Sequence, residues 1–205
     1  MVELSPMSKR LLTWDIRKGD NVIVIGGYQG TTCKLILERY PDCNLYTWEP
    51  QKAMYRVLKE RIKPWPNAHA FNYGIGIENG DFPMIHTGND RCSFLVAPGG
   101  TPDTVCRIRE FDEEMAERGI KEIAWMHFNI ESYEYLLLPY LIRTGWMRKI
   151  GQLVVATHRV LVVDEEMPTM KDISLAIEKT HTHWWSERQF IAWSQADRKM
   201  QEVPE

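Results

Sequence analysis

Short runs of hydrophobic residues alternate along the chain with segments whose apolar positions recur at helical spacing. Residues 22–25 and 153–156 have no polar alternation, as expected for parallel strands that are buried on both faces. Residues 31–40 and 50–62 repeat apolar side chains every three or four positions and end at prolines, which is typical of helices. The pattern therefore predicts strands that alternate with helices.

The same criteria extend over the whole chain. Predicted strands cover residues 22–25, 44–48, 68–72, 123–128 and 153–156, and predicted helices cover 8–18, 31–40, 50–62, 111–118, 135–142 and 172–179. Two further segments, 183–185 and 190–193, are close enough to pair as a terminal hairpin. We expect one α/β domain over residues 1–205, with a leading helix within 1–20 and a doubly wound, mostly parallel sheet that has one antiparallel edge strand.

Residues 81–106 break the alternation. Gly88-Asn89-Asp90 and Pro98-Gly99-Gly100 separate three short candidate strands at 82–86, 93–96 and 104–108. We interpret this segment as an irregular insertion that helps to build a ligand site.

A glycine turn follows the first predicted strand. Gly26, Gly27 and Gly30 lack Cβ atoms, so the chain can turn sharply there and approach a ligand at the start of the next helix. Glu49 lies just past the second strand, where a carboxylate can accept both hydroxyls of a ribose. Together these residues predict a nucleoside site.

Two other nucleotide motifs do not fit this turn. A dinucleotide motif counted from Gly26 would need glycines where Tyr28 and Thr31 stand, and no Gly-Lys-Ser or Gly-Lys-Thr closes a phosphate loop. What remains is Gly-x-x-x-Gly with a strand-end acid, as in S-adenosylmethionine enzymes. The alternative is an ordinary α/β turn in which Glu49 caps the next helix.

Polar or glycine positions follow five predicted strands. Gly26, Glu49, Asn72, Asn129 and His158 each come at a carboxyl end, and in an open parallel sheet these ends border the ligand crevice. We expect the five residues to lie around one site.

Composition narrows the classes of protein. The chain has 205 residues, 25 basic and 28 acidic, and a net charge of −3, without the long basic run of a nucleic-acid binder. No apolar run approaches a membrane span, so we expect a soluble, cytoplasmic protein. Its four cysteines form no Cys-x-x-Cys pair, and neither a metal site nor a disulfide framework is expected. The oligomeric state stays open between a monomer and a homo-oligomer.

Several blocks in order resemble the FkbM-type S-adenosylmethionine-dependent methyltransferases. The segment 24–30, Val-Ile-Gly-Gly-Tyr-Gln-Gly, is similar to the family's Asp-Ile-Gly-Ala-Asn-x-Gly, and Trp48-Glu49-Pro50 to its Phe-Glu-Pro. Cys92-Ser93-Phe94 resembles Ser-Ser-Leu, segment 126–134 resembles Leu-Lys-Ile-Asp-Val-Glu-Gly-x-Glu, and Ala156-Thr157-His158 resembles Glu-x-His.

The resemblance implies a Rossmann-like class I methyltransferase fold with a seven-stranded sheet, S-adenosylmethionine as cofactor, and O-methylation of a carbohydrate or other small acceptor. It places the cofactor on Gly26, Gly27, Tyr28, Gln29, Gly30, Glu49, Pro50, Asn72 and Asn129. It places the acceptor near Ser93 and Glu134. Because a hydroxyl has a high pKa, attack needs a base, for which His158 is the first candidate and Glu131 the second.

Several positions depart from the family pattern. Val24 and Asn129 stand where the family has aspartate, Tyr28 where it has asparagine, and His127 where it has lysine. Lost acids weaken the attraction for a cationic cofactor. A non-catalytic S-adenosylmethionine or nucleoside binder of the same fold is therefore the alternative, and for His158 the alternative is a strand-end histidine with a structural hydrogen bond.

Overall fold

The computed structural model describes residues 14–88, 91–93, 104–158, 167–187 and 189–196, with the backbone alone at 85–88 and 91–93. The strands are β1 (Asn21–Ile25), β2 (Asn44–Trp48), β3 (Ala68–Phe71), β4 (Gly74–Gly76), β5 (Gly80–Gly88), β6 (Arg91–Ser93), β7 (Thr104–Glu110), β8 (Trp125–Phe128), β9 (Gln152–Ala156), β10 (Thr182–Glu187) and β11 (Phe190–Ser194). The helices are α1 (Thr31–Arg39), α2 (Lys52–Ile62), α3 (Phe111–Glu117), α4 (Glu134–Arg143) and α5 (Met170–Ile177), and a 3-10 turn covers Trp146–Lys149.

Seven strands form the main sheet in the order β10-β11-β9-β8-β1-β2-β3. All neighbouring pairs from β3 to β9 are parallel, whereas β11 runs antiparallel to both β9 and β10. The predicted doubly wound, mostly parallel sheet is confirmed. The reversed strand, however, lies one place in from the edge, because the terminal hairpin inserts its second strand next to β9.

Two apolar clusters cover the two faces of this sheet. Ile23 and Ile25 of β1 belong to one cluster, together with α3, α4 and α5 residues such as Leu137. Val22 and Val24 belong to the other cluster, with α1 and α2 residues such as Leu58. The alternation along β1 shows why the strand has no polar positions, since each face meets a layer of helices.

A second sheet, in the order β4-β7-β5-β6, accounts for most of the predicted irregular insertion. Strand β5 pairs antiparallel with β7 and with β6, so the excursion after Asn79 is a hairpin that folds back on β7. The predicted strands at 82–86 and 104–108 are confirmed within β5 and β7, and of the predicted strand at 93–96 only residue 93, the end of β6, lies within the described residues.

Several predicted helix boundaries differ from the structure; the predicted 172–179 helix, for example, is α5 at Met170–Ile177. Residues 14–18 are not helical, so the predicted 8–18 helix is wrong over its second half, and residues 8–13 lie outside the described chain. Buried Trp14 explains the apolar pattern there, because it packs edge-on against Trp125 rather than on a helix face. Helix α2 begins at Lys52 instead of Pro50, since the Gln51 amide donates to the Glu49 carboxylate.

The glycines of the turn after β1 are required by packing. A Cβ on Gly26 would lie 2.0 Å from the Asn129 carbonyl oxygen, and the backbone there is left-handed with φ of 81°. On Gly27 a Cβ would lie 2.3 Å from the Thr47 hydroxyl oxygen, and on Gly30 it would lie 2.8 Å from a Leu58 methyl carbon. The turn therefore fits tightly against the ends of β2 and β8 and against α2.

We predict that Gly26→Ala destabilises the protein by more than about 3 kcal/mol, because it adds a backbone clash to a left-handed strain of ~1–2 kcal/mol. Gly145 is the matched control: its φ is 83°, and a Cβ added there would have no described atom within 4 Å beyond its chain neighbours. Gly145→Ala should lose only the ~1–2 kcal/mol of stability that the left-handed strain costs. Urea unfolding measures both variants, and equal losses would refute the packing explanation.

His127 on β8 gives a second prediction. It is buried between the rings of Trp125 and Phe190 and donates from Nδ1 to the Val154 carbonyl at 3.3 Å. Burial, more than any other cause, lowers its pKa to about 4. Above pH 6.5 the ring is neutral in both states. As the pH falls, the unfolded chain binds the proton first, so the free energy of unfolding should drop by about 3 kcal/mol between pH 7 and pH 4.

Replacing His127 by leucine should remove its part of the loss in the free energy of unfolding between pH 7 and pH 4. The control is His183→Gln, at an exposed position of β10. Urea titrations at several pH values give the free energy of unfolding as a function of pH, and this dependence should be weaker in His127→Leu alone. The same pH dependence in the wild type, His127→Leu and His183→Gln would contradict the role given to His127.

Candidate cofactor and active site

A cavity of about 230 Å³ opens where β1, β2, β8 and β9 end. Its walls come from these strand ends, from β4 and β5, and from the turn between β10 and β11. They consist of Ile25, Gly26, Tyr28, Trp48, Glu49, Pro50, Gln51, Gly74, Ile75, Met84, Asn129, Ile130, Glu131, Tyr133, His158 and Gln189. This is the crevice predicted from the strand-end rule.

Most backbone amides of the glycine turn form hydrogen bonds within the protein. Gly26 and Gly27 both donate to the Trp48 carbonyl, at 3.1 and 3.0 Å, and Gly30 donates to the Gly27 carbonyl at 2.8 Å. The Tyr28 amide donates to a Glu49 carboxylate oxygen at 2.8 Å. Four of the five amides from 26 to 30 are therefore engaged, which disfavours a phosphate at this turn because a phosphate site needs N–H groups to point at it.

Glu49 joins the turn to the second strand. One carboxylate oxygen accepts the Tyr28 amide and the other accepts the Gln51 amide at 2.9 Å, while the side chain is only 4% exposed. Burial is the largest cause that raises its pKa to about 6, and the two amides oppose that rise. An ionised carboxylate has about four acceptor positions, so two remain after the amides are counted.

Two asparagines at strand ends have different environments. The Asn72 side chain donates to the carbonyl oxygens of Glu49 and Pro50, both at 3.0 Å, which fixes the chain after β2. The Asn129 side-chain oxygen is buried at the cavity and accepts no hydrogen bond from any described residue. Because a buried acceptor without a donor is costly, Asn129 fits a ligand that brings a donor to it.

His158 lies between two glutamates. Its Nδ1 is 3.1 Å from Oε1 of Glu134, and its Nε2 is 3.4 Å from Oε1 of Glu131. The same Glu134 oxygen accepts the backbone amide of His158 at 2.6 Å. Glu131 and His158 line the cavity, whereas Glu134 lies behind them and is fully buried.

The cavity walls carry two carboxylates. Among the described residues that line the cavity, Glu49 and Glu131 are carboxylates and none is lysine or arginine. The described residues also contain no group of three His, Cys, Asp or Glu side chains placed to hold a metal ion. Such a site attracts a cation and repels a phosphate.

The structure brings together seven of the predicted site residues as cavity walls: Gly26, Tyr28, Glu49, Pro50, Asn129, Glu131 and His158. Gly27, Gly30 and Asn72 instead have the structural contacts given above, and Gln29 does not line the cavity. The side chain of Ser93 lies outside the described part of the chain. The predicted substrate contact of Glu134 stays a prediction, since its buried carboxylate contacts His158.

Several residues that line the cavity were not predicted from the sequence. Gly74 and Ile75 follow β3, Tyr133 precedes α4, and Gln189 forms the turn between β10 and β11. Gly74 could have been predicted by extending the strand-end rule to the residues that follow the first one after β3. No pattern in the sequence indicates Gln189.

No family model and no curated protein sequence matches the chain. Among solved structures, it is similar to a Methanococcus jannaschii fibrillarin pre-rRNA processing protein (TM-score 0.53, 10% identity, 93% of this chain and 74% of that chain). It is also similar to Aeropyrum pernix fibrillarin with natively bound S-adenosyl-L-methionine (TM-score 0.52, 13% identity, 91% of this chain and 73% of that chain). A third similar structure is a Streptococcus thermophilus rRNA methylase (TM-score 0.51, 12% identity, 95% of this chain and 98% of that chain). The chain therefore has the Rossmann-like fold of these methyltransferases, and identities this low show the fold alone.

Proposed function

We propose that the protein is an S-adenosylmethionine-dependent methyltransferase of the FkbM type. The observation that carries this proposal is an acidic strand-end cavity in which a buried carboxylate, Glu49, faces a turn whose amides are used internally. This combination suits a nucleoside that carries positive charge and no phosphate. The solved neighbours support it, because one of them has the same fold and holds S-adenosyl-L-methionine.

The residues of the cavity fit the cofactor. Glu49 would accept the ribose hydroxyls with the acceptor positions that its two amide contacts leave over. The Asn129 side-chain oxygen, which has no described donor, would accept a hydrogen bond from the amino group of the cofactor's methionine moiety. Both carboxylates of the wall would attract the net positive charge of the cofactor, which offsets part of what Val24 and Asn129 lose relative to aspartate.

The cofactor supplies an electrophilic methyl group, and the chain has to place a nucleophile and remove its proton. His158 Nε2 and the Glu131 carboxylate both border the cavity and are the bases within reach. An acceptor hydroxyl would give its proton to the His158–Glu131 pair as its oxygen takes up the methyl group. The electron pair of the carbon–sulfur bond would stay with the cofactor, so the charges would balance.

We propose a neutral hydroxyl, as in a carbohydrate or another small molecule, as the acceptor. An rRNA methylase and two fibrillarins among the similar structures favour RNA as a second candidate. Charge argues against RNA, because the described cavity walls lack lysine and arginine and the chain carries a net charge of −3. The non-catalytic binder stays the alternative, because Val24 and Asn129 stand where the family has acids.

Glu49→Gln should weaken S-adenosylmethionine binding about tenfold to hundredfold, because hydrogen bonds to a charged acceptor contribute ~1.5–3 kcal/mol. Wild-type affinity should also fall below about pH 6, where Glu49 takes up a proton and loses acceptor positions. Isothermal calorimetry between pH 5 and pH 8 measures both effects.

Glu38→Gln, at a half-exposed acid of α1, is the matched control for lost charge. It should bind as the wild type does. Thermal melting checks that Glu49→Gln is folded, since the variant also loses one acceptor for a backbone amide. No binding by the wild type at millimolar ligand, or equal affinity of the folded Glu49→Gln variant, would contradict the proposal.

His158→Ala should keep the affinity for S-adenosylmethionine and lose turnover by about 10²- to 10⁴-fold, which is the usual contribution of a general base. Formation of S-adenosylhomocysteine, measured with a panel of oligosaccharides and with ribosomal RNA fragments, tests this. Turnover on RNA alone would favour the second acceptor class, and binding without turnover on any acceptor would favour the non-catalytic alternative.

A further inference from the structure

The buried side of the His158 imidazole is occupied by a glutamate that does not line the cavity. We propose that Glu134 is a positioning residue, which holds His158 in its Nδ1–H tautomer so that Nε2 and Glu131 share one proton. This inference rests on the proposed function and names the residue that prepares its base.

The contacts of Glu134 fix one orientation of the ring. A single oxygen, Oε1, accepts the His158 amide at 2.6 Å and lies 3.1 Å from Nδ1. These two contacts fix both the backbone and the ring of His158. An ionised carboxylate only accepts hydrogen bonds, so Nδ1 has to carry a hydrogen. Glu134 is fully buried, and its other oxygen accepts no hydrogen bond from a described residue, so the hydrogen bonds described for this carboxylate both come from His158.

The other ring nitrogen then faces an acceptor. When Nδ1 carries the hydrogen, Nε2 of a neutral imidazole is also an acceptor, and it lies 3.4 Å from Oε1 of Glu131. Two acceptors at this distance repel unless a proton lies between them. The pair therefore binds and releases one proton as a coupled unit rather than as two separate groups.

The backbone keeps Glu131 in place at the expense of strain. Glu131 and Ser132 have φ angles of 49° and 83°, a left-handed region that residues with a Cβ rarely adopt. The Tyr133 amide closes this turn on the Ile130 carbonyl at 3.1 Å. Two strained residues in succession beside a cavity indicate a functional constraint on the side chain they carry.

Titratable groups that interact with His158 come from several elements. Glu131 lies on the turn after β8, Glu134 at the start of α4, and His127 on β8. Burial lowers the pKa of His127 to about 4, so this histidine is neutral near pH 7 and adds no charge there. Of these three groups, the two glutamates are the ones that contact the His158 ring.

Nitrogen-15 NMR of the histidine rings tests the proposal without cofactor or acceptor. The probe is the uniformly labelled full chain, with His158→Gln used to assign the His158 signals. The wild type should show the Nδ1–H tautomer above the titration midpoint. In Glu134→Leu no side-chain acceptor faces Nδ1, so the population should move toward the Nε2–H tautomer, whose hydrogen Glu131 can accept, and the midpoint should move to lower pH. In Glu134→Gln the side-chain carbonyl oxygen can take the place of Oε1, so the Nδ1–H tautomer should persist while the midpoint falls. Glu178→Gln, which changes an acid just after α5, should leave both unchanged.

A predominant Nε2–H tautomer in the wild type, or an unchanged tautomer in folded Glu134→Leu, would overturn the proposal. The wild-type spectrum decides even if the variant does not fold. Glu131→Gln adds a second readout: it should move the midpoint to lower pH without switching the tautomer. Failure of S-adenosylmethionine to bind in calorimetry would refute the proposed function and leave the NMR result standing, so the two failures are distinguishable.

Discussion

The Glu49 carboxylate holds the turn after β1, the end of β2 and the start of α2 in one arrangement. It does so by accepting the amides of Tyr28 and Gln51 while almost completely buried. Burial works against its ionised form, and the two amides offset only part of that cost. A ligand that donates further hydrogen bonds to this carboxylate would stabilise its charge. The carboxylate that fixes the turn would therefore gain from the ribose contact that we propose for it.

Charge divides the cavity into two ends with different chemistry. In the proposed function Glu49 would hold the nucleoside at one end, and Glu131 with His158 would exchange a proton at the other. Asn129 lies between β1 and the second end and supplies an acceptor without charge. Because the described walls lack lysine and arginine, a cationic cofactor and a neutral acceptor are the ligands that this distribution favours.

Much of the fold follows from the sequence because β1, β8 and β9 are buried on both faces and contain almost only apolar residues. The place of β11 does not follow, since a terminal hairpin can add either of its strands to the sheet with the same pattern. In the site, Glu49 was predictable from its place after β2. The role of Gly26 was not, because a glycine that faces a ligand and one that faces a carbonyl, here that of Asn129, look alike in sequence. Likewise, the contact of Glu134 with His158 joins residues 24 positions apart and is set by the packing of α4.

A crystal structure of the protein soaked with S-adenosylhomocysteine tests the central claim most directly. It should show the ribose hydroxyls within hydrogen-bond distance of the Glu49 carboxylate and the sulfur turned toward Glu131 and His158. Density for the ligand outside this crevice, or a crevice filled by protein side chains at saturating ligand, would contradict the account.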